Sequence, residues 1–304
     1  MMAFRRMALA VQTALTKSVV LQKLELKLIR DCQTEANSVF IVGAPRTGTT
    51  ILYQVLLNDY HFAYLTNIAS LFVRSPVTIT RITEAFRKRT LMRFTSEYGY
   101  VKGFFSPSEA GATMRCWFDS ECNHVAATIS ALSVTMQGPF LCKNLYNSQR
   151  ILKIREKLSK AIFLWVIRDP LYTAQSIILA RRKLYGNEEE SWFSVRPKNF
   201  EQIKVLTEYE QAVYQIKNID DSIAEEIALS GLNEKVLRVD YDEFCDNHRK
   251  VLGKIEAFLG KNGCSIVRKP DAPESAPEIS LSRKRILGDE EWKKLRATVK
   301  SIYT

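Results

Sequence analysis

The sequence lacks long hydrophobic runs, paired cysteines and clustered histidines. Its longest clear apolar run is the seven-residue stretch Ala161–Ile167, whereas a helix that spans a bilayer needs about 20 apolar residues. The three histidines and six cysteines are scattered, without C-x-x-C pairs or the Cys/His spacing of a zinc site. We therefore expect no transmembrane span, no metal, free thiols in a reducing compartment, and a cytoplasmic location.

The charge balance is basic but does not by itself identify a ligand. The chain has 44 Lys and Arg against 33 Asp and Glu, for a net charge of +11. Such a charge would attract a polyanionic cofactor, an acidic glycan, a nucleic acid or an anionic membrane, and a well-solvated surface would also produce it. The clustered basic and aromatic residues typical of RNA-binding modules are missing, so we expect no nucleic-acid partner.

Strand and helix patterns alternate along the chain, which favours α/β organisation with a mainly parallel sheet. The 304 residues, 46% of them hydrophobic, are enough for one domain with a large core. We expect a basic helical extension over 1–35, a core over 36–267, and a C-terminal loop and helix over 268–304. The predicted strands are 39–42, 140–143, 161–167 and 235–239.

The octapeptide GAPRTGTT at 43–50 follows the first predicted strand and precedes an apolar helical segment. Its glycines keep the spacing of the nucleotide-triphosphate loop G-x-x-x-x-G-K-[ST], but Thr49 replaces the lysine that reaches the β- and γ-phosphates. The motif therefore predicts an anion site at a helix N-terminus, for a ligand without a γ-phosphate. An ordinary βα turn that uses glycine at positive φ is the alternative.

A second motif follows the third predicted strand. Arg168 is succeeded by Asp169-Pro170, and Ser176 lies eight residues after Arg168. A proline in a first helical turn fits a strand-to-helix junction. Because a guanidinium at a strand end and a hydroxyl on the next helix can hold one phosphate together, two anion sites indicate a doubly phosphorylated nucleotide.

These two motifs, in this order and at this separation, resemble the 3′-phosphoadenylyl sulfate (PAPS) dependent sulfotransferases from about Val39 to Gly260. The resemblance implies a three-layer α/β/α sandwich, PAPS as the donor and adenosine 3′,5′-bisphosphate as its product. It also implies a 5′-phosphosulfate loop and a 3′-phosphate site that includes a late basic segment. The cofactor-binding residues would be Arg46, Thr47, Gly48, Thr49, Thr50, Arg168, Ser176 and Arg283.

The resemblance also suggests catalytic residues. Arg46 matches the P-R-[ST]-G-T-T loops of tyrosylprotein and many carbohydrate enzymes, and Lys143 resembles the catalytic lysine of tyrosylprotein enzymes. Their alternatives are packing against an acidic side chain for Arg46, and a strand-end lysine whose head reaches solvent for Lys143.

The general base is the point of departure from the tyrosylprotein enzymes, because 62–72 contains no acid where those enzymes have a glutamate. Glu109 resembles the glutamate of a Pro-x-Glu-x-Gly segment in some bacterial sulfotransferases, and we expect it to be the base. The alternatives are His124 as the base, and a purely structural role for Glu109 as an acid at a helix N-terminus.

The implied reaction is sulfation of a hydroxyl, and a bacterial carbohydrate or glycolipid is the expected acceptor. Aromatic residues would stack on it or form core: Tyr98, Tyr100, Phe104, Phe105, Trp117 and Phe118. No Golgi-type membrane anchor is visible. A peripheral membrane helix, a solvated helix and a homodimer contact stay open for the basic first 30 residues. Rival functions are a P-loop small-metabolite kinase, which Thr49 disfavours, and an inactive nucleotide-binding protein of the same fold.

Overall fold

The computed structural model describes residues 18–32, 34–86, 101–120, 122–186, 192–272 and 283–304. Tyr98, Tyr100 and residues 273–282 of the expected C-terminal loop lie outside these ranges. The strands are β1 Ser38–Gly43, β2 Phe140–Lys143, β3 Ala161–Ile167 and β4 Val236–Asp240. The helices are α1 Val19–Arg30, α2 Thr49–Asp59, α3 Asn67–Leu71, α4 Pro76–Glu84, α5 Gly111–Asp119, α6 Val125–Met136, α7 Ile151–Lys157, α8 Pro170–Tyr185, α9 Phe200–Ile203, α10 Glu208–Ser230, α11 Tyr241–Asp246, α12 His248–Lys261 and α13 Asp289–Tyr303.

The strands form one parallel sheet in the order β2-β1-β3-β4. In register, Ser38 of β1 lies opposite Phe140 on one side and Ala161 on the other. Every residue of β1 is buried, as expected for a central parallel strand with helices on both faces. The predicted α/β class is therefore confirmed, and the carboxyl ends of the four strands meet at one edge, where ligands of open α/β sheets bind.

The aromatic residues in the middle of the chain divide into core and surface. The ring of Phe118 makes an edge contact with Phe40 at 5.9 Å, and Trp117 packs 6.0 Å from Phe140. Both α5 aromatics are buried, so stacking on an acceptor is not their role. Phe104 and Phe105, by contrast, are exposed.

The described part of the basic N-terminal segment is the helix α1, which packs on α4 and α6. Its acid, Glu25, is buried, and its carboxylate accepts hydrogen bonds from the Val77 and Thr78 amides at 3.0 and 2.7 Å. Burial raises the pKa of Glu25 despite these bonds. The carboxylate thus caps the start of α4, an arrangement that also favours the helix dipole. Among the described helices, none is long and apolar enough to cross a bilayer.

Candidate active site

The loop after β1 has the backbone of an anion cradle. Arg46 and Gly48 have positive φ values of 68° and 95°, and α2 begins directly afterwards at Thr49. No acidic side chain lies in the first turn of α2, and no side chain caps it. The unpaired amides and the positive end of the helix dipole are therefore directed at the loop, as anion binding requires.

A serine that sequence reasoning missed anchors the start of this loop. The buried Ser148 hydroxyl accepts a hydrogen bond from the Gly43 amide and donates one to the Gly43 carbonyl, both at 3.0 Å. Ser148 belongs to a 3₁₀ turn, Leu145–Gln149, that follows β2. Within the loop, the Thr47 hydroxyl donates to the Ala44 carbonyl at 2.8 Å. The cradle is thus tied to the neighbouring strand connection.

Tyr241, the first residue of α11, packs against Gly48. A Cβ atom on Gly48 would lie 2.1 Å from the Tyr241 ring, so only glycine fits there. The ring also contacts Arg168, whose guanidinium carbon lies 4.8 Å from the ring centre, within the range of a cation–π contact. Tyr241 therefore joins the loop to the second motif, although no sequence motif marked it.

The structure brings the two predicted anion motifs together. The Arg46 Nε donates to the Ser176 hydroxyl at 3.0 Å, across 130 residues of sequence. The Arg168 guanidinium donates to the Arg46 carbonyl at 3.1 Å. These contacts create a cationic face beside the cradle, formed by residues from the ends of β1 and β3 and from α8.

Arg283 lies on the same side of the site. Its guanidinium pairs with the Asp242 carboxylate at 2.5 Å, and that carboxylate raises the pKa of Arg283. Asp242 follows Tyr241 in the chain, so the pair borders the Arg168 side of the cradle. A phosphate bound by Arg283 would compete with the Asp242 carboxylate for the Arg283 guanidinium.

Lys143 and Glu109 form an ion pair at the end of β2. Lys143 is only 2% exposed, and its ammonium contacts the Glu109 carboxylate, which is 34% exposed. The alternative, a strand-end lysine whose head reaches solvent, is therefore excluded by the burial of the side chain. In register, Lys143 pairs with Ile41, two residues before Gly43. The buried cation consequently lies on the strand next to the cradle.

Hydrogen bonds to the backbone around Glu109, rather than a helix N-terminus, set the position of this residue. The Asn144 side chain donates to the Glu109 carbonyl at 2.7 Å, and the Ser108 amide donates to the Leu65 carbonyl at 2.8 Å. α5 begins two residues later, after Ala110, and contains no acid in its first turn. The carboxylate is thus held toward Lys143, and the helix-acid interpretation is not supported.

His124 lies at the opposite edge of the sheet. It is exposed and precedes α6. The carbonyl of Cys122, two residues earlier, accepts a hydrogen bond from Lys157, which leads into the amino end of β3. The structure therefore does not bring His124 to Glu109, Lys143 and the cradle.

The cysteines and the possible metal ligands are the remaining groups that could carry chemistry. All six cysteines are free, and burial raises the pKa of Cys142, next to Lys143, to about 12. Such a thiol is a poor nucleophile, since the thiolate is the reactive form. Within the described ranges, no group of three or more His, Cys, Asp and Glu side chains is placed to hold a metal ion.

Comparison with known proteins identifies the family. A family model described as the sulfotransferase family matches residues 38–262, which is most of the chain. The protein belongs to the sulfotransferase family, and the resemblance read from the two motifs is confirmed. It is a sulfuryl-transferring enzyme, which implies a hydroxyl-bearing acceptor.

A solved sulfotransferase structure has a similar fold. The sulfotransferase STF9 from Mycobacterium avium is 16% identical with a TM-score of 0.52, and the match covers 84% of this chain and 72% of that one. A sulfotransferase from Alicyclobacillus acidocaldarius is also 16% identical, with coverages of 88% and 96% and a TM-score of 0.44. No curated protein sequence matches significantly. At such low identity the likeness concerns the fold alone.

Proposed function

We propose that the enzyme transfers the sulfuryl group of PAPS to an alcohol, with the loop at 43–50 as the 5′-phosphosulfate site. The observation that carries this proposal is the placement of the buried Lys143 on the strand next to the cradle, where its ammonium is paired with the Glu109 carboxylate from the segment before α5. A cation for the leaving group and a carboxylate for the acceptor proton thus flank one anion site.

The residues of the site fit this donor. The open N-terminus of α2 and the backbone of Arg46 to Thr50 would bind the 5′-phosphosulfate, which supplies the sulfuryl group. Arg168 and Ser176, with Arg283 nearby, would bind the 3′-phosphate through charge-assisted hydrogen bonds. A γ-phosphate has no lysine in this loop, because Thr49 stands there with its side chain buried.

The catalytic step assigned to these residues is an in-line displacement. The acceptor oxygen forms a bond to sulfur while the bond from sulfur to the phosphate oxygen breaks. Glu109 takes the acceptor proton, and Lys143 and Arg46 stabilise the negative charge that grows on the oxygens around sulfur. Loss of the proton from Glu109 to solvent then restores its pairing with Lys143.

For the acceptor we propose a bacterial carbohydrate or glycolipid. The edge beside Glu109 supports this class because it combines hydroxyl side chains, such as Ser70 and Ser108, with the exposed ring of Phe104. Aromatic faces and hydroxyl groups are suited to an amphiphilic, hydroxyl-bearing molecule.

Isothermal titration with adenosine 3′,5′-bisphosphate, and separately with ATP and Mg²⁺, tests the donor site. We expect the wild type to bind the bisphosphate selectively and Arg168→Ala to bind it at least about tenfold more weakly, because charged hydrogen bonds are lost. Arg155→Ala is the matched control, since that half-buried arginine also donates to a backbone carbonyl, at the other edge of the sheet. Preference for ATP, or equal losses in both variants, would refute the assignment. Bisphosphate binding without release of bisphosphate from PAPS would instead indicate an inactive relative.

A further inference from the structure

A cavity of about 350 Å³ is lined by Ser108, the residue that precedes the candidate base Glu109 in the chain. Its walls are α3 and the segment at 101–108. Pockets of several hundred cubic ångströms are the usual size for small-molecule sites. None of the residues assigned to the donor lines this cavity, so it is separate from the cradle.

Hydrogen bonds hold the two walls together. The Asn67 side-chain amide donates to the carbonyls of Val101 and Gly103, both at 2.8 Å. The Ile68 amide donates to the Phe104 carbonyl at 3.0 Å, and the Asn67 amide donates to the Ser106 carbonyl at 2.9 Å. These bonds fix the segment at 101–108 against α3, so the two walls of the cavity are held in place by the fold.

The lining is mainly apolar and, among the described residues, carries no charged side chain. Ile68, Leu71 and Phe104 contribute its apolar surface. The hydroxyls of Ser70 and Ser108 are hydrogen-bonded to each other at 3.1 Å. Leu71 and Phe104 nevertheless remain 44% and 73% exposed, which is the pattern of an apolar binding surface at the rim of a site.

We propose that this cavity binds the apolar part of the acceptor, an alkyl or aryl group attached to the hydroxyl-bearing part that reaches Glu109. The inference rests on the proposed function and narrows its acceptor to amphiphiles, such as glycolipids, rather than free sugars. The apolar part would lie against Ile68, Leu71 and Phe104, and the hydroxyl-bearing part would extend past Ser108 toward the Glu109 carboxylate, which follows Ser108 in the chain.

A homologous series of n-alkyl β-D-glucopyranosides, from methyl to octyl and below their micelle concentrations, tests this site by calorimetric titration of the full chain. The titrations are made with and without adenosine 3′,5′-bisphosphate. We expect Kd to fall about fourfold per methylene, which corresponds to about 0.8 kcal/mol, until the cavity is filled. Leu71→Ala and Phe104→Ala should each weaken octyl glucoside at least about fivefold and leave methyl glucoside unchanged.

Leu229→Ala is the control, because Leu229 is an exposed leucine of α10, a helix that contributes no residue to the lining of the cavity. Its affinity for octyl glucoside should equal that of the wild type. A Kd that does not depend on chain length, no saturable binding of octyl glucoside, or the same length dependence in all variants would each overturn the proposal. Binding of the alkyl series by a protein that does not bind the bisphosphate would support the cavity and refute the donor assignment, so the two failures are distinguishable.

Discussion

The central guanidinium carbon of Arg168 lies 4.8 Å from the centre of the Tyr241 ring, and the same ring packs on Gly48. One aromatic side chain from the end of β4 thus contacts both halves of the proposed donor site. The contact restrains the Arg168 guanidinium beside the cradle, where its charge can attract a phosphate.

Removal of this ring should weaken donor binding. We expect Tyr241→Ala to lower the affinity for adenosine 3′,5′-bisphosphate roughly tenfold, because a cation–π contact contributes about 0.5–2 kcal/mol and Arg168 loses its support. Tyr241→Phe keeps the ring and should bind like the wild type. Calorimetric titration measures both, and equal affinities of the alanine and phenylalanine variants would contradict the orienting role.

Replacement of Gly48 should destabilise the fold. The position has φ of 95°, and an added Cβ would collide with Tyr241. We expect Gly48→Ala to lower the free energy of unfolding by about 2–4 kcal/mol, measured by urea denaturation. Gly253→Ala is the matched control inside α12, where nothing lies within 4 Å of the new methyl group. That change should raise stability by about 0.5–1 kcal/mol. Similar losses in both variants would contradict this account.

Neutralisation of the candidate base should affect catalysis rather than donor binding. We expect Glu109→Gln to lower kcat by about 10²–10⁴-fold, as general-base catalysis contributes, while the bisphosphate Kd is unchanged. The assay follows bisphosphate release from PAPS with an alkyl glucoside as acceptor. Glu208→Gln removes the same charge from another ion-paired glutamate, on Arg182 at 2.7 Å, and should leave kcat unchanged. A Glu109→Gln enzyme with full kcat would exclude this carboxylate as the base.

Asp220 should make stability depend on pH. Burial raises the pKa of its carboxyl to about 6, although the Trp165 indole N–H donates to it at 3.1 Å. The native state therefore keeps this proton at a higher pH than the unfolded chain does. The contribution of Asp220 to the free energy of unfolding is fully present below about pH 4 and is lost as the pH rises through about 6.

The corresponding variant is Asp220→Asn, which has no carboxyl to ionise. We expect it to gain about 2 kcal/mol over the wild type between pH 4 and pH 7.5, measured by urea denaturation at each pH. Asp221→Asn removes a half-exposed carboxylate from the next residue and should show no comparable gain. A constant difference between Asp220→Asn and wild type across this range would refute the linkage.

Local sequence patterns were sufficient for the sheet and the cradle. The apolar runs predicted β2 and β3 with their observed bounds, and β1 and β4 within one residue at each end. Strand order, by contrast, depends on the packing of the connecting helices. The pairing of Lys143 with Glu109 likewise spans 34 residues and arises only when the segment before α5 meets the end of β2.

Residues that act through tertiary contacts carried no sequence signal. Ser148 and Asn144 lie in an ordinary-looking stretch after β2, and Tyr241 reads as a residue near the end of a strand. Their importance comes from distances to Gly43, Glu109 and Gly48 that no spacing rule contains. Glu25 was visible only as the acid of a basic segment, and its capping of α4 required the position of α1.

The two hydrogen bonds of Ser148 to Gly43 have a consequence for how the donor enters. Ser148 lies five residues after Lys143, so the start of the cradle and the strand that carries the buried cation are held as one rigid unit. The conformational entropy of that part of the loop is lost during folding rather than during association. Donor affinity is then not reduced by the entropic cost of ordering the start of the loop. The distance between the donor site and the Lys143 ammonium is likewise set before the donor or the acceptor binds.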